Sequence, residues 1–287
     1  RLVQQWGWFD AAYTAKNWMT LQGFAFLTMV VSAALGAAFA MLLAFAAINL
    51  KADQTIGGTA LNLMAPALVL FLVRILANQN TLQMATGDAA SWFMIKKSTF
   101  GIKKNVDIGF LGETFIHKVY LATYICIILF IVLSIILYKT RFGLRLRACG
   151  EHPQAADSVG INVYKMRYAG VLISGLLGGL GGIVYITAGV SVWKFENGVA
   201  GFGFLALAVM IFGAWHPLKI ALAALLFGFF RALGNVYSGF DFMMALNIPS
   251  VVYNMLPYII SLVVLAFTSK KSRAPKAEGI PYDKGSR

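Results

Sequence analysis

The 287-residue chain is 59% hydrophobic and only 12% charged, where soluble domains run to about half apolar and roughly a quarter charged. Charge-free runs at 17–50, 54–73, 119–138, 168–193, 197–218 and 242–269 each reach the ~20 residues a helix needs to cross a bilayer, so the chain reads as an integral membrane protein. Its net charge of +13 sits in segments that flank these runs, a placement that belongs to membrane loops and excludes a nucleic-acid partner.

Taken in chain order, Arg1 to Lys16 is polar and aromatic, with no n-region and h-region of a cleavable signal. The first span is expected from Leu21 to Leu50. Within it Ala33, Ala34, Gly36, Ala37, Ala38 and Ala40 keep one region small, so another helix can approach closely. A polar break at 51–58 follows, then a span from Thr59 to Leu76 in which Arg74 can snorkel to a headgroup. Residues 77–117 form the longest non-spanning segment, with Trp92 and Phe93 suited to an interface. Val119–Tyr138 reads as a single Ile- and Leu-rich helix. Beyond the basic loop at 139–167, further spans are expected at 168–189, 202–215, 217–237 and 250–268. The 202–215 stretch is short for a full crossing and reads as a half-helix or part of a bent element. Trp215-His-Pro217 punctuates it, since proline lacks an N–H and disfavours helix at the preceding residue. The fold class is therefore all-α, a polytopic transmembrane bundle with about seven spans. A transmembrane domain covers 1–268, and a basic tail covers 269–287.

Residues 139–167 and 268–287 each hold six Lys/Arg and two acids, as cytoplasmic segments do under the positive-inside rule. Parity then requires an even number of spans between them, and four are counted. The intervening loops 190–200 and 238–249 carry net charges of 0 and −1 and fall outside. The same count puts 77–117 outside despite Lys96, Lys97, Lys103 and Lys104, and puts 1–20 outside as well.

Within the basic loop, Glu151 to Val159 is expected to form a short helix, with Pro153 in its first turn and Gly160 as its stop. Ala155 and Ala156 give that helix a small-residue surface, which reads equally as a docking knob or as part of a solvated connector. Cys126 and Cys149 offer no disulfide framework, and His117, His152 and His216 have no metal-ligand spacing. There is no phosphate-binding loop of the GxxxxGK[ST] type and no nucleophile–base constellation, so the chain is not expected to be an enzyme.

The run Gly143-Leu-Arg-Leu-Arg-Ala-Cys-Gly-Glu-His-Pro-Gln-Ala-Ala-Asp157, with Gly160-Ile-Asn-Val-Tyr-Lys-Met-Arg-Tyr168, resembles the coupling region of bacterial ABC importer permeases of the branched-chain amino acid, ribose and nucleoside group. It is most similar to the nucleoside branch, as are Gly58-Thr-Ala-Leu-Asn-Leu-Met-Ala-Pro66, Ile211-Phe-Gly-Ala-Trp-His-Pro217 and Ala274-Pro-Lys-Ala-Glu-Gly-Ile-Pro281. The resemblance implies a permease subunit of the plasma membrane, with its C-terminus cytoplasmic, that imports nucleosides or related simple sugars. It implies that Glu151, Pro153, Ala155, Ala156, Asp157 and Gly160 face a separate cytoplasmic ATPase. ATP and Mg would then sit on that partner and no cofactor on this chain. A second permease subunit (a paralogue), an extracellular substrate-binding lipoprotein and membrane lipids complete the partners. The resemblance also implies about three preceding helices and a glycine-rich passage segment not found here, making these spans the latter part of a roughly ten-helix permease.

Two groups are candidates for the substrate path. Asn49, Gly57, Gly58, Thr59 and Asn62 surround the glycine pair, where irregular backbone at membrane depth requires a polar cavity or protein cover. Gly203 and Phe204, in Gly201-Phe-Gly-Phe204, offer a bend and a stacking surface. In 174–182, the pairs Gly175/Gly179 and Gly178/Gly182 are spaced to let helix backbones meet, in static packing or at a moving seam. The competing function is a secondary transporter or passive channel for small polar solutes. Proton coupling is disfavoured, since every acid lies in a loop or at a span boundary.

Overall fold

Without a charge to interrupt it, the chain opens on a long helix, α1 (Trp18–Ala44), which continues through a π-helical turn (Phe45–Asn49). The computed structural model describes residues 18–77, 83–85, 94–95, 109, 119–189, 192–194, 201–239, 241, scattered positions between 252 and 266, and 274–285. Among these, the helices are α2 (Gln54–Ala77), α3 (Leu121–Lys139), α4 (Arg141–Glu151), α5 (Pro153–Ser158), α6 (Val163–Val184, extended by a π-helical turn to Gly189), α7 (Phe202–Phe212) and α8 (Pro217–Val236). Five segments, Met19–Asn49, Gln54–Ile75, Leu121–Lys139, Val163–Thr187 and Pro217–Gly234, are long and apolar enough to cross a membrane. Their outward faces carry large apolar side chains, among them Phe26, Phe71, Ile128 and Phe229, which only a lipid or protein surface covers favourably. The all-α polytopic fold expected from the sequence is what these helices form.

Among the described residues, short strands occur only in the connections. β1 (Gln83–Ala85) pairs antiparallel with β4 (Val192–Lys194), and β2 (Met94–Ile95) with β3 (Val119–Tyr120). The first pairing joins two segments that charge and parity place on one side of the membrane. Trp92, Phe93 and residues 1–17 lie outside the described residues, and so does most of the expected 250–268 span, whose described positions are helical.

Two boundaries depart from expectation. Gly57 and Gly58 do not form a break: the interruption lies upstream, at 50–53, and both glycines are inside α2. The Asp53 carboxylate accepts from the amides of Thr55 at 2.7 Å and Ile56 at 3.1 Å, a cap that starts the helix before the glycines. The expected helix over 151–159 is likewise two elements, because Glu151 closes α4 and α5 begins at Pro153. His152, held out of helical geometry at φ −142° and ψ 86°, is the residue that the following proline constrains. Beyond Val159, Gly160 has φ +83°, a conformation that glycine adopts at low cost.

Residues 1–196 and 279–287 form one unit and 197–278 a second. In the first, α1 and α6 run antiparallel along a seam from Asn49 beside Tyr168, through Ala40 beside Gly175, to Ser32 beside Gly179. In the second, α7 and α8 form an antiparallel hairpin around Leu205, Val209, Ala223 and Phe227. The 11 residues of α7 reach about 16 Å at 1.5 Å per residue, half of a ~30 Å hydrocarbon layer. The turn between them bends at Ala214 and Trp215, both at positive φ, before Pro217 opens α8.

Candidate functional site

The antiparallel α1–α6 pair brings the connection at 50–53, the loop carrying α4 and α5, and the tail segment 279–285 to one face. α4 leaves α3 through a tight turn. Thr140 donates its hydroxyl to the Ile136 carbonyl at 2.6 Å and accepts from the Gly143 amide at 3.3 Å, which caps the new helix. A side chain at Gly143 would overlap the Ile136 and Leu137 carbonyls, so only glycine permits this approach. The polar side of α4 is exposed at Arg141, Arg145 and Arg147; the Arg147 guanidinium lies 4.5 Å from the Tyr138 ring centre. Its inner side ends at Cys149, which is buried. Burial raises the Cys149 thiol above its usual range, against a smaller opposing influence of the Arg167 charge.

Of the residues expected at the ATPase contact, Glu151, Ala155 and Gly160 are exposed, Asp157 is half-buried, and Pro153 and Ala156 face inward. Ala156 packs in a cluster with Cys149, Val163 and Tyr282. Thus α5 presents Gln154 and Ala155 outward and rests on Ala156. Asn162 caps α6 by accepting from the Lys165 amide at 3.0 Å.

Tyr282 was not singled out from the sequence. Its surroundings join segments 113 or more residues apart: Arg167 donates through Nη1 to the Ile280 carbonyl at 3.0 Å, and the Tyr164 and Tyr282 rings meet edge to face at 5.3 Å. One aromatic residue in an otherwise polar tail was the available signal.

The glycine seam divides the four candidates. A Cβ on Gly179 would stand 3.0 Å from the Ala33 Cα, and one on Gly175 would stand 2.7 Å from the Gly36 carbonyl. Gly36 is equally confined, its Cβ position lying 2.9 Å from the Gly179 Cα. Ser32 donates to the Gly179 carbonyl across the seam at 2.7 Å. Gly178 and Gly182 point elsewhere, with no described residue within 4 Å of a Cβ.

Among the described residues of the first unit, the substrate-path candidates are not gathered into one cavity. Asn49 accepts from the Tyr168 hydroxyl at 2.7 Å beside the loop face. Thr59 and Asn62 are exposed on α2, where the Thr59 hydroxyl donates to the Thr55 carbonyl. Gly203 and Phe204 are exposed on α7, in the second unit. A mostly apolar cleft between α1, α3 and α6, with Gln22, Thr28 and Thr187 on its wall, lies toward the opposite end and contains none of them. Arg231 of α8 places its guanidinium 4.1 Å from the Phe202 ring centre. No group of three or more potential metal ligands occurs among the described residues.

A family model described as a branched-chain amino acid transport system / permease component matches residues 7–267. The chain is 41% identical over 261 residues to the guanosine ABC transporter permease protein NupQ of Bacillus subtilis (strain 168), covering 91% of this chain and 78% of that protein. It is 42% identical over 258 residues to the nucleoside ABC transporter permease protein NupC of Lactococcus lactis subsp. cremoris (strain MG1363), covering 90% and 78%. NupB, a second nucleoside ABC transporter permease protein of the same organism, is 33% identical over 103 residues, covering 36% and 28%. No solved structure matches the chain.

Proposed function

The chain belongs to the branched-chain amino acid transport system permease family, and from that premise we propose that it is the membrane subunit of an ATP-driven nucleoside importer. It is a multi-pass membrane permease and not an enzyme, and family membership sets aside the channel and secondary-transporter alternatives. The nucleoside assignment is carried by the 41–42% identity to permeases named for guanosine and nucleosides over some nine-tenths of this chain.

The mechanism is conformational. A binding protein delivers the nucleoside, two permease subunits enclose the path, and a cytoplasmic ATPase supplies ATP and Mg and closes against the loop face. The outward side of α5, with Ala155 at its centre, receives that movement. The exposure of Ala155 beside the buried Ala156 supports this role, as a lever needs one side free and one side seated. On this reading the loop face and the tail are cytoplasmic. The second permease subunit is a paralogue, a view favoured by the occurrence of both NupB and NupC in one organism.

The test is co-purification of the complete transporter, followed by guanosine uptake and ATP hydrolysis in proteoliposomes. Ala155→Arg, alone or with Glu151→Arg, should uncouple hydrolysis from uptake. Unaltered uptake per ATP in these variants would remove α5 from the coupling path, and transport by the chain without an ATPase would overturn the importer reading.

A further inference from the structure

A basic tail next to a membrane has no need of a buried anchor, yet one short segment of this tail has one. Tyr282 is only 4% exposed. It sits on Cys149 of α4, Ala156 of α5 and Val163 of α6, with the Arg167 guanidinium 5.9 Å from its ring centre. On its two sides the backbone and side chains are tied down as well. The Ile280 carbonyl accepts from Arg167, and Asp283 pairs with Lys51 at 3.0 Å. Lys51 follows the end of α1 and has φ +53°, a left-handed conformation that costs a non-glycine residue energy and so needs surrounding support.

These contacts differ in weight. The Lys51–Asp283 pair is half-exposed on both sides, and such surface pairs contribute little. The buried aromatic ring and the charge-assisted bond to Ile280 are the stronger elements. The ion pair sets direction: it points the strap at the end of α1.

We propose that residues 280–283 are a positioning strap, through which movement of α5 reaches the paired ends of α1 and α6. The inner side of α5 rests on Tyr282 through Ala156. Tyr282 is braced by Tyr164 and Arg167 of α6, and the next residue holds Lys51. Displacement of α5 therefore shifts the strap, and the strap shifts the α1–α6 seam. Without Tyr282, α5 moves over an empty site and the displacement is lost locally. This inference rests on the coupling role proposed for α5.

The test uses the complete transporter, with its ATPase, in proteoliposomes, and follows guanosine uptake and ATP hydrolysis together. Tyr282→Ala should lower uptake per ATP by about fivefold or more, the lower end of typical intersite coupling, while the ATPase still co-purifies. Tyr282→Phe, which keeps the ring, should restore the ratio. An unchanged ratio in Tyr282→Ala overturns the strap. Ala155→Arg separates the two readings: if it uncouples and Tyr282→Ala does not, the strap alone falls; if neither uncouples, the coupling role of α5 falls with it. Should Tyr282→Ala fail to accumulate, Lys51→Cys/Asp283→Cys, made in a Cys126→Ser background with the buried Cys149 left in place and joined by a short bismaleimide, decides the matter. Retained coupled uptake after cross-linking supports a strap that moves together with the end of α1, and loss of coupling with cross-linking overturns it.

Discussion

Gly179 occupies a point where two helix backbones leave no room for a side chain. Its neighbours across the seam are the Ser32 carbonyl and the Ala33 Cα, and the Ser32 hydroxyl adds a bond that only this closeness permits. In lipid, where apolar burial gives helices little reason to associate, such packing and interhelical hydrogen bonds provide the attraction. Gly179→Val forces α1 and α6 apart, and overpacking of this kind costs about 1–3 kcal/mol. Gly178→Ala, one residue away in open space, should leave stability unchanged or slightly raised, since alanine is the better helix former. Thermal unfolding of the purified protein in detergent distinguishes the two, and equal losses would mean the seam is not the packing surface. Two carboxyls on the loop face carry a pH signature. The amides of Ile56 and Thr55 hold the Asp53 carboxyl below its usual range; for Asp283 the Lys51 hydrogen bond, the Gly285 amide and the Lys51 charge do the same. A depressed folded-state value means the folded protein binds fewer protons, so stability from these groups is complete above the usual carboxylate range and disappears as pH falls through the folded values. The Tm should be flat with respect to these groups above about pH 5 and fall in acid. Asp53→Asn/Asp283→Asn should reduce that acid-side loss, and an unaltered acid slope would show that neither carboxyl contributes.

α4 was the element least visible in the sequence, whereas α5 lies within the helix expected over 151–159. Apolar runs mark spans because no other arrangement hides that much hydrocarbon. The 141–151 segment instead interleaves Arg141, Arg145 and Arg147 with Leu144 and Leu146, which reads as a charged connector until its neighbours are known. What makes it a helix is its setting, with the Thr140 cap at one end and the Cys149 cluster at the other. The glycine that allows the sharp departure from α3 looked unremarkable because the carbonyls it clears belong to the preceding helix. Gly143→Val should therefore unseat α4 at a cost of about 1–3 kcal/mol and reduce ATPase co-purification more than it reduces the amount of permease in the membrane. Parallel losses of both would instead indicate a general folding defect. The separation of α7 from α8 followed more directly from the sequence, because Pro217 obliges His216 to leave helical geometry. The shift of the break from Gly57-Gly58 to 50–53 was not legible in that way. Glycines signal permissiveness, and the Asp53 cap decides where the helix starts.

At the scale of the molecule, membrane class was legible because hydrophobic length is a local property, and the family because its motifs are contiguous; about seven spans were expected, and five long apolar helices stand among the described residues. The pairing of α1 with α6 was not legible, since Ser32 and Gly179 are 147 residues apart and a small-residue stretch does not name its partner. That pairing nevertheless fixes the topology. Because α1 and α6 are antiparallel and neighbours at Asn49 and Tyr168, the end of α1 and the start of α6 share one membrane face. α2 must leave that face and α3 return to it, which carries β1 to the other side, where it meets β4. The ion pair from Lys51 to Asp283 then places the tail with the loop that carries α4 and α5. Single cysteines at Lys51, Gln154 and Lys284, in a Cys126→Ser/Cys149→Ala background, should react with a membrane-impermeant maleimide only in inside-out vesicles. Cysteines at Gln83 and Lys194 should react only in right-side-out ones. If 51, 154 and 284 divide between the two preparations, the antiparallel pairing and the strap built on it are both wrong. If they stay together but label from outside, the fold stands and the cytoplasmic docking of the ATPase on α5 does not.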